Sequence, residues 1–168
     1  MLSFPEIIPF DWNDPENLNK CYDIYLRSLY LGNHYFLGKK VHYDDKEIDG
    51  KHACFWHLIT RNEKDFNERY PNRERLERIH WTAFMLENSE SEDITCWEEL
   101  VRTKKRGERY QTFLYSKQYK FVVILELQSH DLYRLVTSYY VDEKWRKDRF
   151  KQHAKRYRDP RKSIGSAV

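Results

Sequence analysis

Residues 110–141 read YQTFLY, SKQ, YKFVVILEL, QSHD, LYRLVTSYYV. Three runs dense in β-branched and aromatic residues are joined by links too short for a helical crossover. The segment therefore predicts an antiparallel meander of Tyr110–Tyr115, Tyr119–Leu127 and Leu132–Val141. Phe121-Val122-Val123-Ile124-Leu125 lacks polar alternation, as expected of a central strand covered on both faces. In the third run the two-residue period puts Thr137 and Tyr139 on one face, and Arg134 and Ser138 on the other.

Downstream, Asp142 to Asp159 has a helical period. Phe150, Ala154 and Tyr157 fall on one face, and Lys147, Lys151, Lys155 and Arg158 line another. Upstream, Arg102 to Arg109 is a basic loop containing Gly107, and Cys96 to Val101 is expected to form a short helical turn. Asn72 is an N-cap, after which Leu76, Ile79, Ala83 and Leu86 predict a helix reaching Asn88. Asp44 to Gly50 is a polar loop, and Phe36 to Tyr43 a short strand. Asp14-Pro15 opens a first amphipathic helix through Leu18, Cys21, Tyr22, Tyr25 and Leu29 that ends near Gly32. The expected fold class is α+β, with N-terminal helices packed on a small antiparallel meander and a basic C-terminal helix. One domain spans 1–168, of which 1–35 is the N-terminal helical segment.

A mean hydropathy of -0.94 alone would suggest disorder, but 16% aromatic residues supply surface that packs while keeping a polar tip. The net charge of +3 is unevenly placed: residues 143–162 carry +7, leaving −4 on the rest. Such local basicity favours an anionic partner. Three separated cysteines, Cys21, Cys54 and Cys96, form neither a disulfide framework nor a zinc ribbon, and no signal peptide or membrane span is visible. A reduced, cytoplasmic protein without membrane association is the expectation.

The chemistry-bearing stretch is Lys51-His52-Ala53-Cys54-Phe55-Trp56-His57. On a helix, His52 and His57 lie about 140° apart and cannot easily grip one ion, although Cys54 and His57 share a face. No spacing brings in His34, His42, His80, His130 or His153 as further ligands. Phosphate loops, dinucleotide fingerprints and nucleophile elbows have no match here, so neither metal nor cofactor is expected.

Lys51-His52 through His57, the basic lead Arg106 to Arg109, and Thr137-Ser138-Tyr139 near the end of the last strand resemble scattered active-site positions of phage-associated members of the BECR nuclease superfamily, which groups barnase, EndoU, colicin-type tRNases and RelE-like toxins. The resemblance covers roughly Lys51 to Arg158 (51–158, a nuclease-like core), and the helical insertion Asn72 to Asn88 departs from it. It implies metal-independent endoribonuclease activity by attack of the RNA 2′-hydroxyl. His57 would be general base or acid, with His52 or Tyr139 as its counterpart. Arg109 and Lys51 would supply cations for the phosphate, Thr137 would hold a phosphate oxygen, and Lys147, Lys151, Lys155 and Arg158 would hold the RNA. A toxin or phage-defence effector of this kind implies an antitoxin or immunity protein as partner. The competing expectation is a non-catalytic module that binds nucleic acid or protein through the basic terminal helix, with the histidines packed in the fold.

Overall fold

The three apolar runs form the middle of a larger sheet. The computed structural model describes residues 1–62 and 69–162. In chain order it contains α1 (Asn17–Tyr25), continued by a π-helical turn at Leu26–Tyr30, and the short strands β1 (Tyr35–Phe36), β2 (Lys39–His42), β3 (Glu47–Ile48) and β4 (Lys51–His52). After α2 (Ala53–Ile59) come β5 (Thr60–Asn62), β6 (Arg69–Pro71), α3 (Arg73–Leu76) and α4 (Trp81–Glu87). The chain then runs through β7 (Thr95–Thr103), β8 (Gly107–Ser116), β9 (Phe121–Ser129) and β10 (Leu132–Tyr140) into α5 (Lys144–Arg156). The fold is α+β. Its main sheet has the order β1-β2-β10-β9-β8-β7, antiparallel throughout except where β2 runs parallel to the start of β10.

β9 is covered on both sides, as its unbroken apolar run requires. Phe121, Val123 and Leu125 join the larger core formed with the N-terminal helices, α2 and α4, whereas Val122 and Ile124 join a second core beneath α5 with Trp97, Phe113, Tyr115 and Phe150. Helix α5 docks as its apolar face dictates: Phe150 is buried, and Ala154 and Tyr157 pack beside it. A buried Glu99 accepts a hydrogen bond from the Trp97 indole at 3.1 Å and lies 3.2 Å from His153 Nδ1, tying α5 to β7.

Five local expectations change. Arg102–Arg109 is mostly strand, the end of β7 and the start of β8 paired around a turn at 104–106. Cys96–Val101 is strand, not a helical turn, because six ladder pairs with β8 satisfy its backbone and override the helix propensity of Glu98-Glu99-Leu100. Phe36–Tyr43 is bent into a β1–β2 hairpin over Leu37 and Gly38, which both take positive φ (50° and 73°), as a primed turn demands. Asp44–Gly50 likewise holds β3, turning over Asp49 and Gly50 (φ 48° and 76°) to pair with β4. The helix expected from Asn72 starts as anticipated, with the Asn72 side chain accepting from Arg75 N, but it breaks at 77–80. There the Glu77 carbonyl is taken by Ile8 N, while His80 Nε2 and Trp81 Nε1 bond the carbonyls of Glu6 and Pro5. The crossing N-terminal segment competes for the backbone, while Leu76, Ile79, Ala83 and Leu86 remain buried.

A β-bulge at Val136 matters most for function. The register passes from Leu135↔Leu125 to Thr137↔Ile124, so the strand changes phase. Arg134 faces the α5 side opposite Glu126, yet Ser138 points to the other face, bonding Thr82 of α4 at 2.6 Å. Arg134 and Ser138 are therefore not on one face. Arg134, Thr137 and Tyr139 are, and the pairing of Thr137 with Tyr139 stands.

The Thr82–Ser138 bond lies in the core, with both residues buried. Thr82→Val strands the Ser138 hydroxyl and is expected to cost about 1–3 kcal/mol, whereas Thr82→Val with Ser138→Ala removes both partners and recovers most of the loss. Simple additivity in chemical denaturation would contradict this.

Candidate functional site

Helix α2 presents His57. Its inner face, Cys54, Phe55, Leu58 and Ile59, is buried, which turns Ala53, Trp56 and His57 toward a cleft against β10. The helix is tied at both ends. Ala53 N and Cys54 N bond the carbonyls of Lys46 and Asp44. At the other end Arg69 donates to the carbonyls of His57 and Thr60 at 3.1 and 2.9 Å, and Arg75 to that of Leu58 at 3.4 Å. Cations at a helix C-terminus are favourable, and here they also surround the imidazole.

The cleft encloses about 520 Å³. One wall carries His57, Arg69, Arg106 and Arg134, and Asp44 and Asp49 also line it. Burial on the cleft side, then the charges of Arg69, Arg75 and Arg134, push the His57 pKa down, to about 4. As a residue His57 is exposed, so solvent moderates the shift, but every named charge acts in the same direction. The imidazole is neutral at pH 7.

Behind this wall runs a polar row across four strands. Register places Glu99, Gln111, Glu126 and Arg134 side by side on β7, β8, β9 and β10. Glu126 is 0% exposed. Its carboxylate accepts from Arg106 at 3.1 Å, Arg134 at 3.4 Å, Gln128 at 2.9 Å and Gln111 at 3.4 Å. One buried anion thus orients two arginines whose other sides line the cleft, and with Arg69 they gather its positive charge apart from Glu126.

Beside the cleft, Tyr139 is sandwiched between guanidinium groups. Arg75 lies 5.1 Å and Arg146 5.2 Å from its ring centre. Burial raises the Tyr139 pKa against the opposing pull of Arg146, Arg75 and Arg149, so its hydroxyl stays protonated. Thr137 Oγ1 is buried and has no partner among the described residues.

The structure divides the expected site residues among several places. His57 lies in the cleft, and Thr137 and Tyr139 lie on the adjoining strand face. His52 does not join them: its ring packs against Tyr22, Tyr25 and Tyr30, with Nδ1 3.2 Å from the Tyr25 hydroxyl. Lys51 sits over the rings of Tyr22 and Trp56. Arg109 is exposed on β8, and it is Arg106 of the same basic lead that reaches Glu126, as Arg134 does from β10. Lys147, Lys151 and Lys155 line a separate cleft, and Arg158 pairs with Glu98 at 3.7 Å. Sequence reading missed Glu126, Arg69 and Arg75, named Arg106 only within the basic lead Arg106 to Arg109, and named Arg134 only with Ser138 on the opposite strand face. The one available signal was an acid closing the apolar run Phe121–Leu125. Among the described residues, no three His, Cys, Asp or Glu side chains gather as metal ligands, and no helix is long and apolar enough to cross a membrane. All three cysteines are free and buried.

A depressed histidine pKa links stability to pH. Between about 6.5 and about 4 the unfolded chain binds a proton that folded His57 refuses, so His57 makes stability fall as pH drops through that window. His57→Gln should flatten this part of the curve of melting temperature against pH. An unchanged slope would contradict the crowded, cationic setting of the ring.

No protein-family model, curated protein or solved structure matches this chain.

Proposed function

We propose that the protein is a metal-independent endoribonuclease whose reacting phosphate is bound in the His57 cleft. The observation that carries this reading is a neutral imidazole opening into a cleft beside Arg69, Arg106 and Arg134. RNA supplies its own nucleophile, so the protein must accept the 2′-hydroxyl proton, stabilise the pentavalent phosphorane and protonate the leaving 5′-oxygen. His57, neutral at pH 7, accepts the proton. As the 2′-oxygen bonds to phosphorus, Arg106 and Arg134, held by Glu126, take up the charge on the non-bridging oxygens. The bond from phosphorus to the 5′-oxygen then breaks, and a protonated donor gives that oxygen its proton. Tyr139 suits the donor role, since burial keeps its hydroxyl protonated and Arg75 and Arg146 stabilise the phenolate formed. The products are a 2′,3′-cyclic phosphate and a free 5′-hydroxyl. Asp44 and Asp49 repel phosphate and so confine it to the arginine wall.

This is the chemistry implied by the BECR resemblance, here with Arg106 and Arg134 in place of Arg109 and Lys51. A cytoplasmic toxin or phage-defence effector, restrained by an antitoxin or immunity protein, is the biological setting we propose. The basic α5 favours a second reading, a non-catalytic nucleic-acid-binding module.

Incubating purified wild type and His57→Ala with total RNA in EDTA separates the two readings. Cyclic phosphate ends should appear with wild type, and the rate should fall by about 10²- to 10⁴-fold in the variant. RNA left intact by wild type, together with salt-sensitive gel shifts, would replace the enzyme with the binding module.

A further inference from the structure

A second cleft, of about 570 Å³, lies between α5 and the β8–β9 turn. Lys117 and Lys120 from the turn and Lys147, Lys151 and Lys155 from one flank of the helix line it, over apolar surface from Tyr115, Phe150 and Ala154. Asp148 is the one acid there, and among the described residues none of the five lysines has an ion-pair partner. Cations brought this close without counter-charge repel one another, and an anionic occupant relieves that repulsion.

We infer that this lysine cleft is a second RNA subsite, which holds a single-stranded stretch of the substrate away from the reacting phosphate. The spacing suits a strand. Lys147, Lys151 and Lys155 recur every four residues, about 6 Å apart along the helix axis, comparable with the separation of successive phosphates. Apolar surface between the lysines gives an unstacked base a place to lie, which a duplex could not use. The opposite flank of α5 carries Arg146 and Arg149 beside Tyr139, so cations lie on both flanks of the helix. A polymer with one charge per unit can engage the lysines in turn, whereas a compact anion reaches only some of them. An acidic peptide can match the charge and, through alternate residues of an extended strand, the repeat, but it brings no flat base to the apolar surface between the lysines. The identity of the polymer rests on the RNA-cleaving reading; the existence of the subsite does not.

The test uses the full chain and fluorescent 2′-O-methyl oligonucleotides, which cannot be cleaved, followed by anisotropy over a range of salt concentrations. Lys147→Gln, Lys151→Gln and Lys155→Gln combined should weaken binding of a twelve-nucleotide strand by on the order of tenfold or more, and should lower the slope of log affinity against log salt by about 2. The corresponding triple Lys→Arg variant should retain both, and circular dichroism should show both variants folded. Unchanged affinity and slope in the glutamine variant would overturn the inference, as would tighter binding of polyglutamate than of RNA of equal charge. The RNase reading fails separately: wild type that binds the strand through these lysines yet leaves total RNA intact in EDTA would retain the subsite and lose the enzyme.

Discussion

Glu126 is a carboxylate with no access to water at the centre of a six-stranded sheet, and much of the architecture follows from its need for partners. An isolated buried charge is prohibitively costly, so the strands around it must supply donors. They do so across the sheet and along it: Gln111 and Arg134 stand opposite in register, Gln128 follows on the same strand, and Arg106 folds back from the β7–β8 turn. The result fixes two guanidinium groups that would otherwise move freely. It also divides one face of the sheet, with Trp97, Phe113 and Ile124 sealed under α5 on one side of the polar row and exposed Arg109 on the other.

The bulge at Val136 completes this arrangement. Without it, Arg134 would share a face with Ser138, and Thr137 and Tyr139 would point into the helical core. With the extra residue, Arg134, Thr137 and Tyr139 all face the α5 side, while Ser138 pairs with Thr82 in the core. The arginines of α3 and α5 then converge on Tyr139, and those of β6 and α3 on the end of α2. Burial first, and then the cations that anchor its helix, hold the His57 pKa down, so structural support and part of the chemical tuning come from the same side chains.

The meander, the doubly covered β9 and the docking face of α5 were legible in the sequence because each depends on a local period of apolar residues. The path of β7 was not, since Glu98-Glu99-Leu100 carries helical propensity and becomes strand only through pairing with β8. Nor was the break at 77–80, which is imposed by a segment some seventy residues earlier in the chain. His57 was found because a histidine within an apolar run is conspicuous. The arginines around it were hidden among 30 basic residues, and only tertiary contacts distinguish Arg106 from Arg109. His52 looked equivalent to His57 in sequence, but it lies on β4, ahead of α2, and its ring enters a tyrosine cage instead of the cleft.

The most direct measurement of the central claim is the His57 pKa by NMR, in the free protein and with a bound 2′-O-methyl oligonucleotide. A phosphate seated against Arg106 and Arg134 offsets the Arg134 charge that helps depress the imidazole and brings its own negative charge beside the ring, so binding should move the His57 titration upward from its low starting value. A His57 titration near neutrality in the free protein, or one indifferent to the oligonucleotide, would contradict the placement of the reacting phosphate in this cleft.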